Sequence, residues 1–217
     1  MARKIKQYSA AELINLFDLQ RLIGNHSHPL LQGWLQCETT LNANEQYIFD
    51  MILAEAQEKI EGWHEEDLKM QFIAFVLKLA NLSNPKKKYQ PYFERVIEAT
   101  IGEHYLKVKT DFMVAKGILD KPETPYFHFQ EWKRHRDPNG DPVAQLLEAL
   151  LCAQHINNNG KPLYGCMISG KYWEFFILIE KTYAVSKSYD CTEEDKLLKI
   201  IAILRHFKVI LETKLLD

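Results

Sequence analysis

The sequence predicts an α+β (or α/β) protein built on a mixed central sheet flanked by helices, with a helical extension over residues 1–60. Three observations carry this. The first 81 residues show helical periodicity broken by one irregular stretch, GNHSHPLLQGWLQCETTLN. Runs rich in β-branched and aromatic residues follow (FERVIEAT, HYLKVKTDFMVA, PYFHFQEWK). Two more helices and two or three more strands then close the chain. This order, helices first and then helix–strand–strand–strand–helix–strand–strand–helix, gives a sheet covered by helices.

Each element has its own signal. In SAAELINLFDLQ, the opening of residues 9–22, Ser9 and Glu12 make a capping box ahead of an apolar stripe, so a short helix begins there. Residues 44–61 keep helical periodicity without Pro or Gly. Residues 64–81 place Leu68, Phe72, Val76 and Leu79 on one stripe. NLSNPKKKYQP breaks the helical region, and the β-rich runs start after it. DPNGDP (137–142) is a turn or loop whose Asp141-Pro142 suits a helix start, and VAQLLEALLCAQHI is that helix. LYGCMIS and YWEFFILIE are separated by Gly170-Lys171 alone, the spacing of a tight II′ hairpin. TYAVSKSY adds a short strand, and an amphipathic helix over 192–214 carries Leu197, Ile200, Ile201, Leu204, Phe207 and Leu211.

Composition limits the function. At 47% hydrophobic and 26% charged the chain reads as a soluble globular protein. Its net charge of −2 is far from that of a nucleic-acid coat protein, so any contact with phosphates must be local. Cys37, Cys152, Cys166 and Cys191 show no CxxC pairing, as reduced thiols would not. The N-terminal MARKIKQYSAAELINLF lacks an apolar core of signal-peptide length, and no apolar run approaches the roughly 20 residues of a membrane span. A cytoplasmic protein with no membrane partner is expected.

Alternation along two strands carries the chemistry. At 105–114, Leu106, Val108, Thr110, Phe112 and Val114 share one face, and Lys107, Lys109 and Asp111 the other. At 126–133, Phe127, Phe129, Glu131 and Lys133 oppose His128, Gln130 and Trp132. If the strands pair, Asp111 lies opposite Glu131. Two carboxylates and a lysine on one sheet surface suit phosphodiester hydrolysis. Carboxylates hold Mg²⁺ while leaving sites open for water and a phosphate oxygen, and a lysine orients or deprotonates that water.

Asp111, followed after nineteen intervening residues by Glu131-Trp132-Lys133, resembles the core motif of the PD-(D/E)XK nuclease superfamily, the restriction-endonuclease-like fold, with Thr110-Asp111 in place of the usual Pro-Asp. The helix at 64–81, the three strands, the helix at 141–156 and the strand at 163–169 resemble its αβββαβ core. The wider pattern WHEEDLKMQFI … KTDFMVAKG … FQEWK … DPVAQLL … YGCMISGKYWEF is also similar to a group of uncharacterised bacterial proteins, common in Bacteroidetes, with predicted nuclease folds. The resemblance covers roughly residues 60–217. It implies a metal-dependent nuclease domain over 61–217, using Mg²⁺ or Mn²⁺ and acting on DNA. Asp111, Glu131 and the backbone carbonyl of Trp132 would bind the metal, and Lys133 would act on the water. Glu65 would support the metal or Lys133, with Glu66 as substitute, and Gln145 would steady substrate or water.

Plainer readings stand beside these. An E-x-K triplet alone is usually a solvated strand face, Glu65-Glu66-Asp67 charges the first turn of a helix, and Gln145 is an ordinary helix residue. Lys86-Lys87-Lys88 reads as a solubilising loop. Lys133-Arg134-His135-Arg136 continues the active strand, so Arg134 and Arg136 join Lys107 and Lys109 as candidate phosphate contacts. His26, His28 and Cys37 fit no zinc spacing, and Trp173, Phe175, Ile177 and Ile179 alternate as core residues. The rival functions are a catalytically inactive module on the same fold that binds nucleic acid or protein, and an interaction protein whose N-terminal helices mediate homodimerisation or hold a partner.

Overall fold

The computed structural model describes residues 6–134 and 141–216. An eight-stranded mixed sheet runs through it in the order β1-β7-β6-β5-β4-β3-β2, with β8 (Tyr189–Asp190) paired to β6. The strands β2 (Tyr89–Ile101), β3 (His104–Ile118) and β4 (Lys121–Lys133) form an antiparallel meander. Helix α6 (Pro142–Asn157) then crosses over and returns the chain as β5 (Leu163–Ser169), parallel to β4. β6 (Tyr172–Ile179) follows antiparallel across Gly170-Lys171, where Gly170 has φ +56°, the left-handed first position that a II′ turn demands. β7 (Thr182–Val185) is antiparallel to β6, and β1 (Gln20–Ile23) runs parallel to β7 at the sheet's far edge.

Helices cover both faces. One face carries α2 (Pro29–Leu35), α3 (Ala43–Lys59), the helical segment 65–80 and α7 (Glu194–Ile210), packed around Trp34, Phe49, Phe72, Phe175 and Phe207. The other carries α6 and the short α1 (Ala10–Leu16). Nearly every residue of α6 from Ala144 to Ala153 is buried, as expected of a helix that is apolar almost all round. Its start is fixed by Asp141, which accepts from the Ala144 N–H at 2.9 Å and from the Ala10 N–H at 2.9 Å, so one carboxylate caps α6 and ties α1 to it. Among the described residues no helix is long and apolar enough to cross a membrane.

Residues 6–60 depart from the helical extension expected over 1–60 in three ways. Residues 20–22, inside the range expected for the first helix, belong to β1. The stretch expected to be irregular contains α2, capped by the His28 side chain with Pro29 in its first turn. Arg205 of α7 donates to Thr39 and Thr40 and pairs with Glu45 at 2.6 Å, so this segment packs into the common core.

Strict alternation also fails at two places. In β3, Leu106 and Val108 face α6 whereas Phe112 and Val114 face the opposite helices. The change occurs where the β2–β3 ladder passes from Arg95↔Thr110 to Phe93↔Phe112 around Glu94, a non-glycine residue at φ +54°. In β4, the register steps from Val114↔His128 to Ala115↔Tyr126, which leaves Phe127 as an extra residue turned to the opposite face from Phe129. Between Phe129 and Lys133 the pleat is regular.

Gly117 secures the far end of the β3–β4 hairpin. Its φ of +146° is open to glycine, and a Cβ there would run into the Lys121 carbonyl and the Tyr92 hydroxyl, which are themselves hydrogen-bonded at 3.1 Å. Gly117→Ala is expected to cost about 2–4 kcal/mol, from the backbone strain and the clash together. Urea unfolding of the two chains measures it, and a loss under about 0.5 kcal/mol, the usual range of surface substitutions, would show that the hairpin relaxes freely.

Candidate active site

The β3–β4 ladder ends at Phe112↔Gln130, and beyond that pair the strands part. Continued by one residue, the register sets Asp111 level with Glu131. Side chains take over the main-chain hydrogen bonds lost at this fork. The Trp132 N–H donates to Asp111 Oδ2 at 2.7 Å, the Thr110 hydroxyl donates to the Gln130 carbonyl at 3.2 Å, and the Lys107 N–H donates to Glu148 Oε1 at 2.8 Å. Because N–H and C=O of one extended residue point to the same side, the Trp132 carbonyl opens on the fork as well. Its neighbour Lys133 turns the other way, its carbonyl accepting from the Gly170 N–H at 2.8 Å.

The helical segment 65–80 forms the opposite wall. It comprises α4 (Glu65–Asp67), a π-helical stretch over Leu68–Ile73 and α5 (Ala74–Ala80). Such π stretches recur at functional sites, where they re-aim side chains. Lys69, which the sequence reading missed, stands at the centre of the cluster. Its Nζ lies 2.8 Å from Glu65, 3.3 Å from Asp111, 3.5 Å from Glu66 and 3.5 Å from Glu94. Lys133 Nζ lies 2.7 Å from Glu131 and 4.0 Å from Glu65, so Glu65 bridges the two lysines. Lys109 pairs with Glu94, and Gln145 reaches the same space from the first turn of α6. Together these residues line a cavity of about 720 Å³.

The charges are poorly solvated. Side-chain exposure is 3% for Glu131, 12% for Asp111, 12% for Lys69 and 14% for Lys133. Burial, reinforced by the charge of Asp111, pushes the Glu131 carboxyl up to about 7 in spite of its bond to Lys133. Burial also raises Asp111, against the opposing pull of the Trp132 N–H and Lys69. For Lys133, burial favours the neutral amine, but the bond to Glu131 and the surrounding carboxylates outweigh it and leave the ammonium raised. Lys69 is raised in the same way by Glu65 and Asp111. Both lysines are therefore firm cations at neutral pH.

The expected site residues divide by position. Asp111, Glu131, Trp132, Lys133, Glu65 and Gln145 surround the cavity, as does Lys109. Lys107, expected to share the stripe of Lys109 and Asp111, instead pairs with Glu98 at 2.8 Å and does not line the cavity, which reaches along β3 only as far as Lys109. Arg134 is exposed and outside the cavity lining, and Arg136 lies outside the described residues. The i,i+4 spacing of Glu65 and Lys69 was the available signal for Lys69. Glu94 had none, since its left-handed backbone is set by the sheet.

Among the described residues no three Asp, Glu, His or Cys side chains form a ready metal-holding group. The oxygen donors at the fork are two desolvated carboxylates and a main-chain carbonyl, a hard-oxygen set that fits Mg²⁺ or Mn²⁺. Five carboxylates (Glu65, Glu66, Glu94, Asp111, Glu131) line the cavity against three lysines (Lys69, Lys109, Lys133). The surplus of negative charge favours a divalent cation and opposes a bare phosphate. No protein-family model matches the chain, and no curated protein sequence matches it.

Proposed function

We propose that this chain is a metal-dependent nuclease of the PD-(D/E)XK type that hydrolyses phosphodiester bonds, with DNA as its substrate. The observation that carries the reading is the meeting of Asp111, Glu131 and Lys133 where β3 and β4 part, with Lys133 held 2.7 Å from Glu131. The order of segment 65–80, β2, β3, β4, α6 and β5 supports it.

Asp111, Glu131 and the Trp132 carbonyl would hold Mg²⁺ or Mn²⁺. A bound divalent ion supplies a Lewis acid and lowers the pKa of its water. Asp111, anchored by the Trp132 N–H, keeps its second oxygen directed into the cavity. Lys133, a cation clamped between Glu131 and Glu65, orients the attacking water and screens the phosphate. Lys69 and Lys109 balance the outer carboxylates as the phosphate enters, and Gln145 offers an amide to substrate or water.

The test is incubation of the protein with plasmid, single-stranded DNA and RNA in Mg²⁺ or Mn²⁺, beside an EDTA control and a Lys133→Ala chain. Cation-dependent cleavage that disappears in the Lys133→Ala chain is expected. Equal cleavage by both chains would assign the activity to a contaminant. Calorimetric titration of Mg²⁺ or Mn²⁺ should give binding that Glu131→Ala removes, and no binding to the parent chain would count against the proposal.

A further inference from the structure

We infer that Phe93, with Met70 in the lining of the same cavity, forms a stacking subsite for one unpaired nucleobase beside the carboxylate cluster, so that the preferred substrate is single-stranded or locally frayed. The choice of a nucleobase as the occupant rests on the nuclease reading above.

Phe93 is 48% exposed and Met70 69% exposed, and they are the two large apolar side chains left open to solvent in a cavity otherwise dominated by charge. Phe93 is braced from the core side. Its ring meets Phe112 edge-on at 5.4 Å and Trp132 at 6.3 Å with a 59° tilt, so it is held in place while a large part of it stays open. Its chain neighbour Glu94 adopts the left-handed φ of +54° and pairs with Lys69 and Lys109, which joins the aromatic residue directly to the charged cluster.

The left-handed backbone at Glu94 and the open ring of Phe93 sit side by side in the lining of the carboxylate cavity. A planar π-system resting on Phe93 would cover it, and the Met70 thioether in the same lining adds a further soft apolar contact. The ligand that brings such a surface next to a phosphodiester is a nucleobase out of its stack. Bases in a duplex have no free face to offer. The cavity, at about 720 Å³, lies inside the roughly 300–1,000 Å³ range of small-molecule sites, which accommodates a base together with its phosphate.

The experiment follows fluorescence anisotropy of labelled oligothymidylate, the same strand carrying abasic sites, and a blunt hairpin duplex. All are titrated in Mg²⁺ against the Lys133→Ala chain, so that no strand is consumed. Adding Phe93→Ala is expected to weaken oligothymidylate binding about tenfold while leaving the abasic strand and the hairpin unchanged, and Phe93→Trp to restore it. Because Phe93 is half exposed, these chains should fold, which circular dichroism checks. Unchanged oligothymidylate binding, an equal loss on the abasic strand, or no binding of any probe would overturn the subsite. Base-dependent binding without cleavage by the parent chain would retain the subsite and remove the nuclease reading. Lys133-dependent cleavage of single strands indifferent to Phe93→Ala would do the reverse.

Discussion

A Glu131→Gln chain is expected to lose cleavage by at least about 10²-fold and yet to unfold at a higher temperature than the parent chain above pH 7. The loss follows from the role proposed for its carboxylate, since an amide offers the cation one neutral oxygen in place of an anion. The gain follows from burial. With its folded pKa pushed up to about 7 from an ordinary 4.5, Glu131 is protonated in both states at low pH and costs nothing there. Between pH 4.5 and 7 the unfolded chain has released the proton and the folded chain has not, so stability falls as pH rises. Above pH 7 the full penalty stands, about 3 kcal/mol, with little solvent screening at 3% exposure. That figure already includes the attraction of Lys133, so a neutral isostere relieves most of it. A gain of about 1–3 kcal/mol, or roughly 3–10 °C in Tm, is expected at pH 8 in EDTA. At pH 4 the two chains should melt together. Lys133→Ala should be equally inactive but less stable than the parent at pH 8, because it leaves Glu131 without its counter-ion. Two inactive variants with stability changes of opposite sign separate a functional carboxylate from a merely structural ion pair. A lower Tm for Glu131→Gln at pH 8 would reverse the argument.

How far the site was legible in the sequence depends on local regularity. Asp111, Glu131 and Lys133 were brought together correctly by period-two alternation because β4 is evenly pleated from Phe129 to Lys133 and the hairpin register continues onto Asp111. The same rule failed one step earlier at Phe127, where the bulge opposite Ala115 adds a residue. It failed again in β3, where the face changes opposite Glu94. Nothing in the residue types at these points marks the irregularity, which is imposed by the neighbouring strand. The four-residue β1 was invisible for a different reason. Its pattern of exposure is almost wholly solvent-facing, and what holds it is the main-chain ladder to β7, which no side-chain periodicity reports. α2 was signalled by His28-Pro29 but lost among the Gly, Asn and Ser residues around it. Lys69 was hidden by its surroundings in sequence, since a lysine on a helix after Glu65-Glu66-Asp67 reads as surface charge. Only the approach of β2 and β3 turns it into the centre of a cluster.

On the opposite face of β4, three residues before Glu131, lies a second buried titratable group whose effect on stability has the opposite sign. The Trp132 indole N–H donates to Gln130 Oε1 at 2.9 Å, and the Gln130 amide donates to His128 Nε2 at 3.2 Å. This places the imidazole proton on Nδ1, which finds no partner among the described residues. His128 sits among Trp34, Phe112 and Phe207, and complete burial lowers its pKa to about 3. Below pH 6.5 the unfolded chain takes up a proton that the folded chain refuses, so stability is lost as pH falls towards 3, by about 5 kcal/mol in all. Between pH 4.5 and 6.5 this slope and that of Glu131 are equal and opposite, so the two contributions cancel in the metal-free parent chain. Single substitutions should expose what the cancellation conceals. In His128→Phe the lost acceptor for Gln130 and the removed orphan N–H roughly offset each other at pH 7, and the ring joins an aromatic cluster. Stability should then climb by about 3 kcal/mol as pH drops from 7 to 4.5. In Glu131→Gln it should instead climb as pH rises from 3 to 6.5, and in the double variant neither slope should remain. Urea unfolding of the four chains across pH 3–8 in EDTA measures this, and a parent-like profile in His128→Phe would show that the imidazole is not held neutral by its burial.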